Sequence, residues 1–110
     1  MSLVIAVCSR TQIVIAGDTQ LNDDNGVLPI TGMKVIPVGQ YAIAGFTGDY
    51  DGTIQVGHLF SAKPELYSAS LKSKADAICE VLLDHKIECN FVLAGFENGV
   101  TKLICTGKDY

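Results

Sequence analysis

Four residues in the first half of the chain are of types that together could cleave an acyl bond. Ser2 supplies a hydroxyl beside the chain start, Asp18 follows sixteen residues later, and Lys34 follows after sixteen more. Gly45 lies further on, in the segment Ala44-Gly45-Phe46-Thr47-Gly48. A nucleophile requires an adjacent base, and that base requires an orienting partner. These residues could therefore act as nucleophile, orienting carboxylate, tuning cation and backbone donor to an oxyanion.

The base in such an arrangement would be the α-amine of the chain itself. Its unperturbed pKa is about 7.7–8.0, so a large fraction is neutral near neutral pH. Met1 precedes Ser2 and must be removed first, because an acylated nitrogen is an amide and not a base. A neighbouring ammonium such as that of Lys34 would lower the pKa of the α-amine. A preorganised oxyanion donor such as the Gly45 N–H could lower the barrier by ~3 kcal/mol.

Each of these four residues also has an ordinary structural explanation when it is considered alone. Asp18 could form an Asx turn after a strand, and Lys34 could be a solvated lysine at a strand end. Gly45 could serve a turn, and Ser2 could be a frayed terminal residue. Their joint spacing, together with the apolar segments between them, favours the catalytic interpretation.

The composition indicates a single domain over residues 1–110, with 48% hydrophobic and 18% charged residues. The net charge is −4 and the basic residues are scattered, so nucleic acid is not an expected partner. The longest apolar segments are strand-sized and too short to span a membrane. No signal peptide is recognisable, and we therefore expect a cytoplasmic protein that does not associate with membranes.

The cysteines and histidines do not form a metal-binding pattern. The four cysteines lack CxxC spacing and the two histidines stand alone, so we expect no metal and no cofactor. All four thiols lie in apolar segments and are expected to be buried and free in a reducing cytosol. The cysteines are Cys8, Cys79, Cys89 and Cys105.

The first half of the chain reads mainly as strands. Residues 3–8 and 12–16 are rich in β-branched side chains and flank a short polar turn, which predicts a hairpin. Residues 34–38 and 41–46 predict a second hairpin around Gly39-Gln40. Residues 21–32 are rich in Asn, Asp, Gly and Pro and predict a loop that could contain a short strand around 27–30.

Two helices and a last hairpin are predicted in the second half. The first helix should run over Asp51–Ala62, with Asp49 as its cap and Pro64 beyond its end. The second should begin at a cap supplied by Ser68 or Ser70. An Asn-Gly turn then joins residues 90–96 to 100–106. The apolar face of the second helix consists of Leu71, Ala75, Ile78 and Leu82.

This order of elements favours an α+β fold with antiparallel sheets and two helices. Most of the strands lack a clean alternation of polar and apolar residues, so they are expected to be covered on both faces. A helix–sheet–sheet–helix sandwich would satisfy that requirement. No internal repeat is recognisable, although Ala-Gly recurs near several strand ends.

The segments Ser2-Leu3-Val4-Ile5-Ala6-Val7 and Ile13-Val14-Ile15-Ala16-Gly17-Asp18 resemble the start of the proteasome β-type N-terminal-nucleophile (Ntn) hydrolases. The bacterial HslV (ClpQ) peptidase is the closest likeness. The resemblance continues through Lys34-Val35 and Ile43-Ala44-Gly45-Phe46-Thr47-Gly48. It covers about the first half of the chain.

The resemblance implies an αββα sandwich and peptide-bond hydrolysis inside an oligomeric chamber. Ser2 falls where the family has its catalytic threonine, and Asp18 falls on the aspartate that orients the terminal residue. Lys34 falls on the lysine that favours the reactive form, and Gly45 on the glycine whose N–H contributes to the oxyanion site. The implied substrates are peptides or unfolded proteins, and the sequence does not reveal whether an ATPase partner exists.

The chain is shorter than the domain of that family, so the predicted sandwich is truncated or half-size. Such a sandwich would leave apolar sheet surface open, which predicts at least a homodimer. Two functions are compatible with these features. One is an Ntn-type peptidase, and the other is a non-catalytic, oligomer-forming structural homologue. Whether Met1 is removed separates the two.

Overall fold

A computed structural model of the chain describes residues 3–23, 26–106 and 108–109. The helices are α1 Asp51–Ala62 and α2 Leu71–Asp84, joined by a 3₁₀ helix Pro64–Ser68. The strands, in chain order, are β1 Val4–Cys8, β2 Ile13–Gly17, β3 Gln20–Asp23, β4 Gly26–Thr31, β5 Val35–Gly39, β6 Ala42–Gly48, β7 Cys89–Glu97, β8 Val100–Cys105 and β9 Lys108–Asp109.

All strand pairs in the described residues are antiparallel. A five-stranded sheet has the order β5-β6-β7-β8-β9, and two hairpins, β1-β2 and β3-β4, form separate two-stranded sheets. This arrangement confirms the predicted α+β fold with antiparallel sheets and two helices. The absence of any parallel crossover among these strands excludes a doubly wound fold.

The five-stranded sheet separates the helices from the β1–β2 hairpin. Successive side chains of a strand point to opposite faces of the sheet. On β6, the buried side chains of Ala44 and Phe46 join the core beneath the helices. Gly45, between them, faces Val4 of β1 and Ile15 of β2. The helices therefore cover one face of the sheet, and the first hairpin covers the other.

Helix α2 packs on the sheet as predicted. Its apolar face is buried, and the Ser70 hydroxyl accepts a hydrogen bond from the Ser73 N–H at 3.1 Å, which identifies Ser70 as the cap. At the start of α1, the Asp49 carboxylate accepts the Asp51 N–H at 3.0 Å, although Tyr50 occupies the formal cap position. Within the described residues, neither helix is long and apolar enough to cross a bilayer. The buried apolar residues of α2 are Leu71, Ala75, Ile78 and Leu82.

The short strand predicted at 27–30 is present within β4, but the loop predicted for the rest of residues 21–32 is wrong, because β3 pairs with β4 in a hairpin. Asp23 pairs with Gly26, and Gln20 pairs with Thr31, with an irregularity between them. Gly26 has φ +115°, a conformation that glycine adopts without the steric penalty of a Cβ atom. The polar composition of β3 concealed this strand, because backbone pairing needs no apolar side chains.

The β1–β2 hairpin is covered on one face only, contrary to the expectation for these strands. Alternate side chains point away from the five-stranded sheet and are at least half exposed. The exposed apolar residues of this outer hairpin face are Leu3, Ile5, Val7 and Val14.

The expectation of four buried thiols is wrong for Cys8, which is exposed at the end of β1. The other three thiols are half-buried.

Candidate functional site

The Asp18 carboxylate and the Lys34 ammonium are in direct contact. Asp18 follows the end of β2, and Lys34 immediately precedes β5. The packing of the β1–β2 hairpin on the five-stranded sheet brings the two residues together. The Lys34 side chain is only 5% exposed, and its ammonium also donates a hydrogen bond to the Gln20 carbonyl at 2.6 Å. A buried cation is tolerated when it is paired in this way.

Among the described residues, the Asp18 carboxylate accepts hydrogen bonds from three groups. Besides the Lys34 ammonium, the Leu3 N–H donates to Oδ2 at 2.7 Å and the Gln20 N–H donates to Oδ1 at 3.1 Å. The hydrogen bond from Lys34, followed by that from Leu3, holds the pKa of Asp18 below its ordinary value, although partial desolvation acts in the opposite direction. Asp18 is therefore a carboxylate held in its ionised form.

The backbone ties Asp18 to the start of β1. The Asp18 N–H donates to the Leu3 carbonyl at 3.1 Å while the Leu3 N–H donates to the Asp18 side chain. This reciprocal pair continues the β1–β2 register, in which Val4 lies opposite Gly17. The predicted nucleophile, Ser2, lies outside the described residues. Its chain neighbour Leu3 is thus the first described residue, and it is bonded to Asp18.

Gly45 lies in the middle of β6, opposite Val35 of β5 and Val92 of β7. A Cβ atom at Gly45 would lie 2.5 Å from Val4 Cγ1 and 3.1 Å from Ile15 Cγ2, so only glycine allows the hairpin to pack this closely. A small cleft of about 90 Å³ adjoins Gly45 and Val4 and is also bordered by Thr47. The structure thus gives Gly45 a packing role, and its role as an oxyanion donor stays a prediction.

Two residues of this site, Leu3 and Gln20, could not be recognised from their residue types. Leu3 and Gln20 act through backbone N–H and carbonyl groups, which every residue type except proline supplies. Only the pairing of β1 with β2, and the position of Gln20 two residues after Asp18, could have indicated them. The structure brings together Asp18, Lys34, Leu3 and Gln20, and it places Gly45 beneath the same hairpin.

A larger cavity, of about 470 Å³, lies at the start of α2, and its lining residues do not include the Asp18–Lys34 pair. Its buried Lys74 donates to the carbonyls of Tyr67 and Ala69, both at 3.0 Å. Glu97 accepts the Leu71 N–H at 2.5 Å. These contacts join the 3₁₀ helix, α2 and the end of β7. Among the described residues, no group of three Cys, His, Asp or Glu side chains could hold a metal ion.

Comparison with known proteins gives a structural relative only. No family model matches the chain, and no curated protein sequence matches it. A solved structure of an Anbu (Gly-1) mutant from Hyphomicrobium sp. strain MC1 matches all of this chain, with a TM-score of 0.75 and 19% sequence identity. The chain spans 55% of the Anbu chain, which is about half its length.

The assignment to the proteasome β-type family, with HslV as the closest likeness, is corrected by these comparisons. No family model supports that assignment, and a solved structure that matches is that of Anbu. Short apolar segments around a few spaced residues were enough to suggest a family but not to identify it. What the comparison shows is the fold: this chain has an Ntn-like α+β fold, and all of it matches a part of Anbu that makes up 55% of the Anbu chain.

Proposed function

We propose that this chain is a hydrolase of the N-terminal-nucleophile type that cleaves peptide bonds, with Ser2 as its nucleophile. The observation that carries the proposal is the Asp18 carboxylate, which binds the Leu3 N–H and the Lys34 ammonium at the same time. Because Leu3 directly follows Ser2, this carboxylate connects the start of the chain to a buried cation. An ordinary Asx turn would not require a lysine that is 5% exposed.

The proposed reaction begins once Met1 has been removed. The α-amine of Ser2 accepts the proton of its own hydroxyl as Oγ attacks the carbonyl carbon of the peptide bond. The carbonyl oxygen takes the negative charge, and a backbone N–H, proposed to be that of Gly45, stabilises it. The C–N bond then breaks, and the α-ammonium returns the proton to the leaving amine. The acyl group remains as an ester on Ser2.

Water completes the proposed cycle. The α-amine accepts a proton from water as the water oxygen attacks the ester carbonyl. The bond to Oγ then breaks, the α-ammonium returns the proton to Oγ, and the acid product leaves. Lys34 contributes a fixed positive charge, which lowers the pKa of a nearby amine and favours negative charge on a nearby oxygen. Asp18 holds both Leu3 and Lys34 in place, so it orients the reacting residue rather than exchanging protons with the substrate.

The proposed substrates are peptides or unfolded proteins in the cytoplasm. Support for hydrolysis comes from the Ntn-like fold and from the position of the ion pair beside Leu3. The chain spans about half of Anbu, so the activity of a complete protein is part of the proposal.

A second candidate function is a non-catalytic unit that assembles with itself. The observation favouring it is the outer hairpin face, whose four large apolar side chains are each at least half exposed. Contiguous exposed apolar surface marks interaction sites in soluble proteins. In this alternative the Asp18–Lys34 pair serves only to hold β1 and β5 together, and the proposed self-association is at least a homodimer.

Turnover of a fluorogenic peptide separates the two candidates. Protein freed of Met1 by methionine aminopeptidase should hydrolyse the peptide, whereas protein that retains Met1 should not. Lys34→Ala should reduce turnover about 10²-fold or more, because it removes a fixed charge at the reacting centre. Lys72→Ala is the matched control, because Lys72 is exposed on α2 in a surface pair with Asp76. No turnover by the Met1-free protein would reject the enzyme and favour the assembly unit.

A further inference from the structure

The aromatic ring of Tyr50 lies directly on the backbone of Gly32. A Cβ atom at Gly32 would be 2.6 Å from Tyr50 Cζ, 2.7 Å from Cε1 and 2.9 Å from the phenol oxygen. These separations are shorter than any real contact of a Cβ atom, so the ring occupies the space that a side chain at Gly32 would need. Gly32 itself is buried, and Tyr50 is half-buried.

The segment from Gly32 to Lys34 is fixed on its other sides as well. The Gly32 N–H donates to the carbonyl of Thr19 at 2.9 Å, and Thr19 directly follows Asp18. At the other end, the Phe46 N–H donates to the Lys34 carbonyl at 2.9 Å. The three residues between β4 and β5 are therefore held by two backbone hydrogen bonds and by one aromatic ring.

Tyr50 is in turn held in place by the turn between β6 and α1. Gly48 has φ +101°, and a Cβ atom there would lie 2.7 Å from the Glu88 carbonyl oxygen. The Asp49 N–H donates to that same carbonyl at 2.9 Å, and the Asp49 carboxylate accepts the first N–H of α1. The ring thus belongs to a rigid turn, which makes it a firm support for Gly32.

We propose that Tyr50 is a positioning residue of the candidate site: by packing on Gly32 it holds the segment that delivers the Lys34 ammonium to the Asp18 carboxylate. The inference builds on the proposed function, because Asp18 and Lys34 are its site. The two atoms nearest Gly32, Cζ and Cε1, are ring carbons that phenylalanine also has, so a phenyl ring at position 50 should keep most of this contact. Without the ring, the Gly32–Lys34 segment loses its support at Gly32, and Lys34 is expected to move relative to Asp18.

The titration of Asp18 reports this effect without any need for catalysis. The Leu3 and Gln20 N–H groups donate to the Asp18 carboxylate, so their amide resonances in nuclear magnetic resonance spectra respond to its ionisation. The hydrogen bond from Lys34 is the largest cause that keeps the pKa of Asp18 low. A Tyr50 that contributed only to stability would change the unfolding temperature and leave this titration midpoint unchanged.

The experiment compares four proteins under conditions in which each is folded. Tyr50→Ala should raise the titration midpoint of Asp18 toward its ordinary value, and Tyr50→Phe should keep the midpoint of the unchanged protein. Tyr67→Ala is the matched control, because its ring packs edge-on to Phe60, with centroids 5.9 Å apart, whereas the atoms nearest to a Cβ at Gly32 all belong to Tyr50. It should lower stability without shifting the midpoint.

Two further measurements keep the test decisive. If Tyr50→Ala does not fold, Tyr50→Leu fills part of the same space and should give a smaller rise in the midpoint. A folded Tyr50→Ala or Tyr50→Leu whose Asp18 midpoint equals that of the unchanged protein would overturn the inference. Failure of the proposed function would be seen separately. In that case the protein would not hydrolyse the peptide, but the titration midpoint of Asp18 would still rise in Tyr50→Ala.

Discussion

Asp18 and Lys34 touch across two strand ends, and the lysine is almost wholly removed from solvent while the aspartate keeps partial contact with it. A buried cation without a partner is strongly destabilising, so this lysine depends on Asp18 and on the Gln20 carbonyl. Leu3 joins the same carboxylate. The pair therefore links the start of the chain to β5, which makes it both a structural element and the centre of the proposed site.

Replacing Asp18 with Asn should make the free energy of unfolding less dependent on pH in acid. The pKa of Asp18 is lowered in the folded protein, chiefly by the hydrogen bond from Lys34. Its stabilising contribution is therefore complete above the pKa of an unfolded aspartate and is lost as the pH falls through the folded pKa. Urea titrations at several pH values should show the unchanged protein exceeding Asp18→Asn in stability at neutral pH, with the gap closing in acid.

Asp76→Asn is the control for this measurement, because Asp76 lies in an exposed pair with Lys72 on α2 and such pairs contribute little. The lowered pKa of Glu97 is common to all of these proteins and cancels in the differences. If the difference in free energy of unfolding between the unchanged protein and Asp18→Asn stayed constant down to strongly acidic pH, the stabilising role of the Asp18–Lys34 ion pair would be contradicted.

Gly45→Ala should destabilise the protein by about 1–3 kcal/mol, because the new methyl group would overpack the contact with the first hairpin. Its Cβ atom would lie 2.5 Å from Val4 Cγ1. Gly57→Ala is the matched substitution, because nothing lies within 4 Å of a Cβ atom at this position on α1. It should stabilise the protein by about 0.5–1 kcal/mol through helix propensity. Equal effects in chemical denaturation would show that the hairpin does not pack on Gly45.

Two adjacent leucines of α2 test how that helix packs. Leu82 is 7% exposed and belongs to the core, whereas Leu83 is 77% exposed. Leu82→Ala should cost about 2–5 kcal/mol, because it leaves a cavity. Leu83→Ala should change the free energy of unfolding by no more than about 0.5 kcal/mol. A reversed order in thermal or urea unfolding would mean that α2 is rotated about its axis.

Self-association through the outer hairpin face should be abolished by a charge placed on it. The unchanged protein should sediment as a dimer or larger species at micromolar concentration, and Ile5→Lys should sediment as a monomer. Leu83→Lys is the control, because it places the same charge at an exposed leucine on α2. A monomer for the unchanged protein would remove the second candidate function and leave the exposed face without a partner.

Much of the fold could be predicted from local patterns. The second helix is indicated by apolar residues at helical spacing and by Ser70 as its cap. The last hairpin is indicated by Asn98-Gly99, and both of these residues have the positive φ that such a turn requires. Only half of the β3–β4 hairpin was predicted: a short strand was expected at 27–30, but β3 is polar and the Asn25-Gly26 pair was read as part of a loop. The 3₁₀ helix was missed because its starting residue, Pro64, was taken only as a helix terminator.

The candidate site could be predicted only in part. Contact between Asp18 and Lys34 depends on two strand ends meeting, which no local pattern specifies, and a resemblance that proved wrong as a family assignment was what suggested it. The contact of Tyr50 with Gly32 follows from the pairing of β5 with β6, which places residues just before Lys34 beside the end of β6. Sequence spacing alone carries no information on such a register.

Labelling of Ser2 tests the central claim most directly. Met1-free protein should be treated with a fluorophosphonate, which reacts with activated serine hydroxyls, and the terminal peptide should then be analysed by mass spectrometry. We expect one adduct on Ser2, which is absent from protein that retains Met1 and strongly reduced in Lys34→Ala but not in Lys72→Ala. Unlabelled Ser2 in folded, Met1-free protein, or equal labelling in Lys34→Ala, would contradict the proposed role of this site.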